Sequence, residues 1–335
     1  MKNTHPDVYN WYLGLFDECD INVTDRYWLI YESTLTKDID NDVRYLTDIV
    51  TRTKKIPLLM YDSNPSWEFE EYFLTLYKHF NNVFLSSADM NNLWSAHPNI
   101  IYFPIFYLDQ LNRKNYQNYN KEYRISFLSN VARFHRVYFY YKVRHSINHA
   151  TDCFSVRGIT SAERLFYQTN MKHIIGKYDT EIEKNIPFAT PSASTCNEIN
   201  NTLNKKIIDN TNQHTAYNSY INVVGESDIS IGKVFLTEKT WKAVRSRCIP
   251  VFFDPAFNVV LKKVGFNFDN EVNAVKLNYL NKIEHLNNFM STRTLLDVEK
   301  IYTSQQSTIE QNVNYFYSDA LKKMFAQHLR DKLKL

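Results

Sequence analysis

Four short apolar runs, Tyr27 to Tyr31, Ile56 to Tyr61, Val83 to Ser86 and Ile100 to Phe103, alternate with longer polar or helical stretches in the first third of the chain. This rhythm constrains the fold more than any other feature, because it favours strands of a parallel sheet joined by helical crossovers. Between the second and third runs, Trp67, Phe69, Tyr72, Phe73, Leu76 and Tyr77 recur at helical spacing behind the turn Asp62-Ser63-Asn64-Pro65. The order there reads strand, loop, helix, strand.

A second α/β series follows. Leu111 to Glu122 is polar and without apolar periodicity, which marks a linker. Beyond it come a strand at Ile125 to Leu128, a helix over about Phe134 to His145 and a strand near Phe154 to Val156. Further strands are expected at Tyr220 to Val224 and Ile249 to Phe253, with a helix over about Glu238 to Arg247 between them. Residues 190–214 are rich in Ser, Thr and Asn and read as an exposed excursion. From about Thr308, Val313, Phe316, Leu321, Met324, Phe325 and Leu329 form an amphipathic helical pattern that closes the molecule. A chain of 335 residues exceeds what one core usually holds. The expected division is 1–117, 118–307 and a C-terminal helix, 308–335, that returns to the first domain.

Several function classes drop out on composition. The net charge of +3 announces no polyanion partner. No stretch approaches the ~20 apolar residues that span a bilayer, and the start MKNTHPDVYNWY is unlike a signal peptide, so a cytoplasmic location is expected. Cys19, Cys153, Cys196 and Cys248 are isolated from one another, which argues against a zinc site or a disulfide framework. With 6 Gly and no GxGxxG, the chain cannot build the dinucleotide turn of a dehydrogenase; a P-loop is absent too. His79, His97, His173, His285 and His328 fall in no constellation.

Residues 220–254, YINVVGESDISIGKVFLTEKTWKAVRSRCIPVFFD, hold a strand, a polar loop, a helix and a strand in succession. Open α/β sheets bind ligands at such strand C-termini. Thr237 is a plausible N-cap, so the first-turn N–H groups would face the loop and favour an anion. Lys239 in that turn opposes the helix dipole by ~0.3–1 kcal/mol, a misfit that a bound phosphate would relieve. The alternative reading makes Glu238, Lys239 and Lys242 the solvated face of a helix whose Trp241 and Val244 pack inward.

Phe235-Leu236-Thr237-Glu238-Lys239-Thr240-Trp241-Lys242, followed by Ile249-Pro250-Val251, resembles the donor-site segment of α1,3-fucosyltransferases. Ser129-Asn130 and Arg136 upstream are similar to the spacing those enzymes place after the first strand of their donor domain. The resemblance covers about residues 124–270. It implies a GT-B-like α/β fold, with two Rossmann-like domains facing a cleft, and a glycosyltransferase acting on a nucleotide diphosphate sugar. By resemblance Arg136 and Lys239 bind the diphosphate and Glu238 holds the ribose hydroxyls. Phe235 stands where the family has Tyr and keeps a stacking surface. Glu226, which follows Gly225, resembles a Glu that phage and bacterial relatives carry at this strand end; apart from the resemblance, Arg133, close before Arg136, is a further candidate for phosphate.

The expected chemistry is metal-free transfer without a prosthetic group, because Arg136, Lys239 and the helix start can stabilise the leaving diphosphate. A carboxylate base would then come from the N-terminal domain, where Glu32 and Asp62 each follow an expected strand. The acceptor is expected to be a glycan. Two other readings stay open: a phage-type enzyme that glycosylates a hydroxymethylated DNA base, with Arg52, Lys54, Lys55, Arg113 and Lys114 lining a groove, and a non-catalytic nucleotide-binding or assembly module on the same fold.

Overall fold

The expected strands do form two parallel sheets. A computed structural model of the chain describes residues 6–61, 67–111, 121–129, 134–156, 215–226, 233–273, 277 and 279–335. These divide into two compact units, residues 1–112 together with 318–335, and residues 113–317.

The first unit opens with α1 (Pro6–Asp17). Its four strands are β1 (Tyr27–Tyr31), β2 (Ile56–Tyr61), β3 (Phe84–Ser87) and β4 (Ile100–Tyr102), all parallel and in the order β1-β2-β3-β4. The crossovers carry α2 (Ile39–Thr53) and α3 (Trp67–His79), and α4 (Ile105–Leu111) follows β4. On β2 and α3, Leu59, Tyr61, Phe69, Phe73 and Leu76 bury one side of each element into a common core. The helical spacing read in the sequence puts the last three on a single face.

Local chemistry explains how α2 starts. Asp38 caps it by accepting the Asn41 N–H, and Asp42, one turn in and 1% exposed, accepts from Thr36 N, Thr36 Oγ1, Lys37 N and Tyr72 Oη. Lys54 closes the helix in the left-handed region at φ 59°. The Asp-X-Asp spacing that often holds a sugar-nucleotide metal occurs here twice, as Asp38-Ile39-Asp40 and Asp40-Asn41-Asp42. The chain thus carries the pair, and the expectation of metal-free transfer draws no support from this pattern. The structure uses Asp38 and Asp42 to cap and brace a helix.

In the second unit the strands are β5 (Tyr123–Ser129), β6 (Asp152–Val156), β7 (Ser219–Val224) and β8 (Ile249–Phe252), again all parallel. Helix α5 (Phe134–Val143) lies between β5 and β6, and α6 (Glu238–Arg245) between β7 and β8. Then follow α7 (Pro255–Lys263), α8 (Tyr279–Thr292) and α9 (Leu295–Phe316). Ile125, Phe127, Ile221, Val223, Ile249 and Val251 point to one face of the sheet and pack with Phe139, Tyr279, Ile283 and Leu286. The intervening Ser126 turns the other way, where its hydroxyl lies 2.6 Å from Ser219 Oγ and accepts from Asn222 Nδ2 at 2.8 Å. This is the two-residue alternation of a pleated strand.

Strand order decides where a ligand could sit. The order is β6-β5-β7-β8, so the chain leaves β5 for one neighbour and later returns to the opposite side of β5 to lay down β7. That reversal, between β5 and β7, is the topological switch point where open α/β sheets leave a crevice beyond the strand C-termini. The first sheet has no reversal among its described strands.

The tail differs from its expected form. One amphipathic helix from about Thr308 was the reading of the pattern, whereas α9 ends at Phe316 and α10 (Asp319–Leu333) begins afresh. Ser318 makes the break: its hydroxyl accepts the Leu321 N–H and caps α10. Helix α10 belongs to the first unit, where Phe325 packs on Tyr102 and Tyr107 and Tyr27 Oη donates to the Leu333 carbonyl at 2.6 Å. Among the described residues no helix is long and apolar enough to cross a membrane.

Candidate functional site

The site is built from three chain segments that meet beyond β5 and β7. The first is Gly225-Glu226, directly past β7. The second is the start of α5, which carries His135 and Arg136. The third is the start of α6, with Thr237, Glu238, Lys239 and Thr240.

Gly225 allows the first two segments to touch. A Cβ at this position would lie 2.9 Å from Phe127 Cε2 and 3.4 Å from Arg136 Cγ. A side chain would collide with the ring, so only glycine lets the strand end pass this close. The Arg136 stem is thereby packed against the β7 end, and the residue is 2% exposed. Its neighbour His135 holds the same junction through Nε2, 2.9 Å from the Glu226 carbonyl oxygen. From α8, Tyr279 Oη donates to the His135 carbonyl at 2.7 Å and fixes the α5 start from the other side.

Glu226 joins this pair to α6. Its Oε1 accepts from Thr237 N at 3.1 Å and from Thr240 Oγ1, and its Oε2 accepts from Thr237 Oγ1 at 2.5 Å. Burial pushes the Glu226 carboxyl above the usual carboxylate range, against the opposing effects of the Lys239 charge and the two threonine hydroxyls. The hydrogen bonds and the nearby ammonium compensate part of the cost of burying this carboxyl.

Thr237 caps α6 as expected of it, in extended backbone with its hydroxyl accepting the Lys239 N–H at 3.3 Å. The Lys239 ammonium lies 2.9 Å from Glu238 Oε1 and 3.3 Å from Thr237 Oγ1. Although burial works to raise it, the Glu238 carboxyl is held below its ordinary value by Lys239, by Lys242 and by its own backbone N–H. These contacts correct the expectation of an open helix start. The Thr237 N–H goes to Glu226, the Lys239 N–H to Thr237 Oγ1 and the Glu238 N–H to its own carboxylate. What faces solvent is the Glu238–Lys239 pair, with side chains 33% and 23% exposed.

The other expected residues fall as follows. Phe235 is 2% exposed, so its ring is part of the packing and has no open face to stack on a ligand. Glu32 begins a short 3₁₀ turn, Glu32–Thr34, straight after β1 and is partly buried. Asp62 and Arg133 lie outside the described residues. His135, Thr240 and Tyr279 belong to the junction and were not expected there. For these missed contacts the sequence offered one hint, Gly225, one of just 6 glycines and placed where a strand ends. A small cavity lined by Val244, Cys248, Pro250, Asn267, Gln305 and Asn312 lies at the N-terminal end of β8 and is separate from this junction.

No protein-family model, curated protein or solved structure matches the chain.

Proposed function

We propose that the second unit binds a nucleotide diphosphate sugar at the β5/β7 switch point and that the protein transfers the sugar to a hydroxyl acceptor. One observation carries this reading: the residue pair that ends β7, Gly225-Glu226, touches both the α5 start with Arg136 and the α6 start with Lys239. Arg136 and Lys239 stand on the two segments that this pair joins, and both suit a pyrophosphate, since Arg offers a planar fork to phosphate oxygens and Lys a compact charge. As the glycosidic bond breaks, such charges stabilise the departing diphosphate.

The Glu238–Lys239 pair gives the reading a specific form. An incoming phosphate competes with Glu238 for the ammonium, and the released carboxylate is then available to ribose hydroxyls. In this reading the two α/β units are the acceptor and donor halves of a GT-B transferase, and Glu32 or Asp62 supplies the base. The acceptor is a glycan in the leading form, with hydroxymethylated DNA as the acceptor to try beside it.

A thermal-shift screen with UDP, GDP, CDP, ADP and their sugars tests the binding step. A ligand held at a hundredfold excess over its Kd should stabilise the protein by about 2.7 kcal/mol. Lack of stabilisation by every diphosphate would sink the reading, and binding without transfer would favour the non-catalytic module. Lys239→Ala should lower transfer by about a hundredfold to a thousandfold, as loss of a charge-stabilising donor does. Its melting temperature should stay near that of the wild type, because exposed ion pairs contribute about 0–1 kcal/mol. Unchanged turnover in this variant would remove Lys239 from the site.

A further inference from the structure

We propose that Glu226 is a positioning residue that sets Lys239 against the Arg136 segment, and that it makes no contact with the ligand itself. Its consequence for ligand binding rests on the nucleotide-diphosphate reading above; the clamp itself does not.

The geometry separates this role from direct contact. Glu226 is 1% exposed, and its carboxylate is occupied by the Thr237 N–H, the Thr237 hydroxyl and the Thr240 hydroxyl. A carboxylate is acceptor-only, and a negative charge offered to a diphosphate would repel it. Through its main chain the same residue holds His135, the neighbour of Arg136. Glu226 therefore grips the two cation-bearing segments with different parts of one residue. The α5 start is bound at its carbonyl, and the α6 first turn at its side chain.

The grip reaches Lys239 in one further step. Thr237 Oγ1, which donates to Glu226, also accepts from Lys239 N and lies 3.3 Å from Lys239 Nζ. With both hydroxyls donating to the Glu226 oxygens, the Thr237 lone pairs are left turned toward Lys239. A neutral amide in place of the carboxylate presents one oxygen and an NH₂, so the three donors can no longer all be satisfied. The first turn of α6 should then loosen, and Lys239 should lose its fixed place relative to Arg136.

The test uses the full chain as wild type, Glu226→Gln and Thr240→Val, each with and without Lys239→Ala. Amide hydrogen exchange over residues 234–245 reads the clamp without any ligand, and calorimetry with inorganic pyrophosphate reads its consequence. Loss of a hydrogen bond to a charged group should speed exchange there about tenfold or more in Glu226→Gln, and less in Thr240→Val. Pyrophosphate affinity should fall about tenfold in Glu226→Gln. The sharper sign is the loss of coupling: Lys239→Ala should weaken pyrophosphate binding strongly in the wild type and only marginally in the Glu226→Gln background. Unchanged exchange in both Glu226→Gln and Thr240→Val would overturn the clamp. Faster exchange with the full Lys239→Ala effect retained would overturn the positioning role. If Glu226→Gln does not fold, Thr240→Val carries the same comparison. A wild type that ignores pyrophosphate sinks the functional reading, while the exchange arm still decides the clamp.

Discussion

At the scale of single residues the switch-point junction depends on what can be packed beside Gly225. Replacing it by Ala would drive a methyl to 2.9 Å from Phe127 Cε2, in a core where Phe127 also packs edge-on against Phe139. Overpacking of this kind costs about 1–3 kcal/mol. Gly225→Ala should lower the urea midpoint accordingly and also weaken pyrophosphate binding, because the Arg136 stem would lie 3.4 Å from the new methyl. An unaltered midpoint would mean that the Phe127 ring yields freely. Residue identity in this region was partly legible. The Thr237 cap followed from residue type and the turn ahead of it. The burial of Phe235 and the inward duty of Glu226 did not. Both depend on neighbours distant in sequence, such as His135, which meets Glu226 across 91 positions.

Elements are held in place by a few buried polar anchors, of which Arg124 is the clearest. It forms a two-pronged pair with Asp152, at 2.9 and 2.7 Å, across β5 and β6. Its remaining nitrogen donates to the carbonyls of Met290 and Arg293, which end α8. A guanidinium at a helix C-terminus satisfies orphan carbonyls and matches the dipole. Arg124→Ala should destabilise the second unit by about 3–5 kcal/mol, since it strands Asp152 as a buried charge. The double variant Arg124→Met with Asp152→Asn should recover part of that loss in denaturant titrations, and equal losses in both would argue against the stranded charge. The apolar rhythm placed β5 and β6 in the chain, yet Arg124 looked like any polar residue beside a strand. A salt bridge within a sheet has no periodicity to betray it. The break between α9 and α10 was hidden for the converse reason: apolar periodicity runs on across Ser318, and only the cap at Leu321 shows that the backbone turns there.

On the scale of the whole molecule, the end of the chain completes the first unit. His328 on α10 accepts the Tyr102 N–H through Nε2 at 3.2 Å, at the outer strand β4 of the first sheet. Burial, and then the Lys332 charge, lower the His328 pKa from 6.5 to about 4. The folded chain therefore holds this ring neutral while the unfolded chain protonates it near pH 6.5. The sign follows: the stabilisation is complete above pH 6.5, falls as the pH drops toward 4, and levels off below that. At 1.36 kcal/mol for each pH unit, the loss over that window is roughly 3 kcal/mol. Urea midpoints of the wild type should drop across it, and His328→Gln, which keeps an acceptor but does not titrate, should drop less; parallel curves would refute the assignment. The alternation of apolar runs pointed by itself to two α/β series with parallel strands, and located the eight strands and the helices α3, α5 and α6, while α1, α2, α4, α7 and α8 were not read from it. Such signals are local, spanning one or two turns of backbone. Only the tertiary structure decided that β6 and β7 flank β5 on opposite sides and that α10 closes the first unit. It also decided that the α6 start is already filled by carboxylates, because strand order and the satisfaction of buried polar groups are set by contacts between residues far apart in the chain.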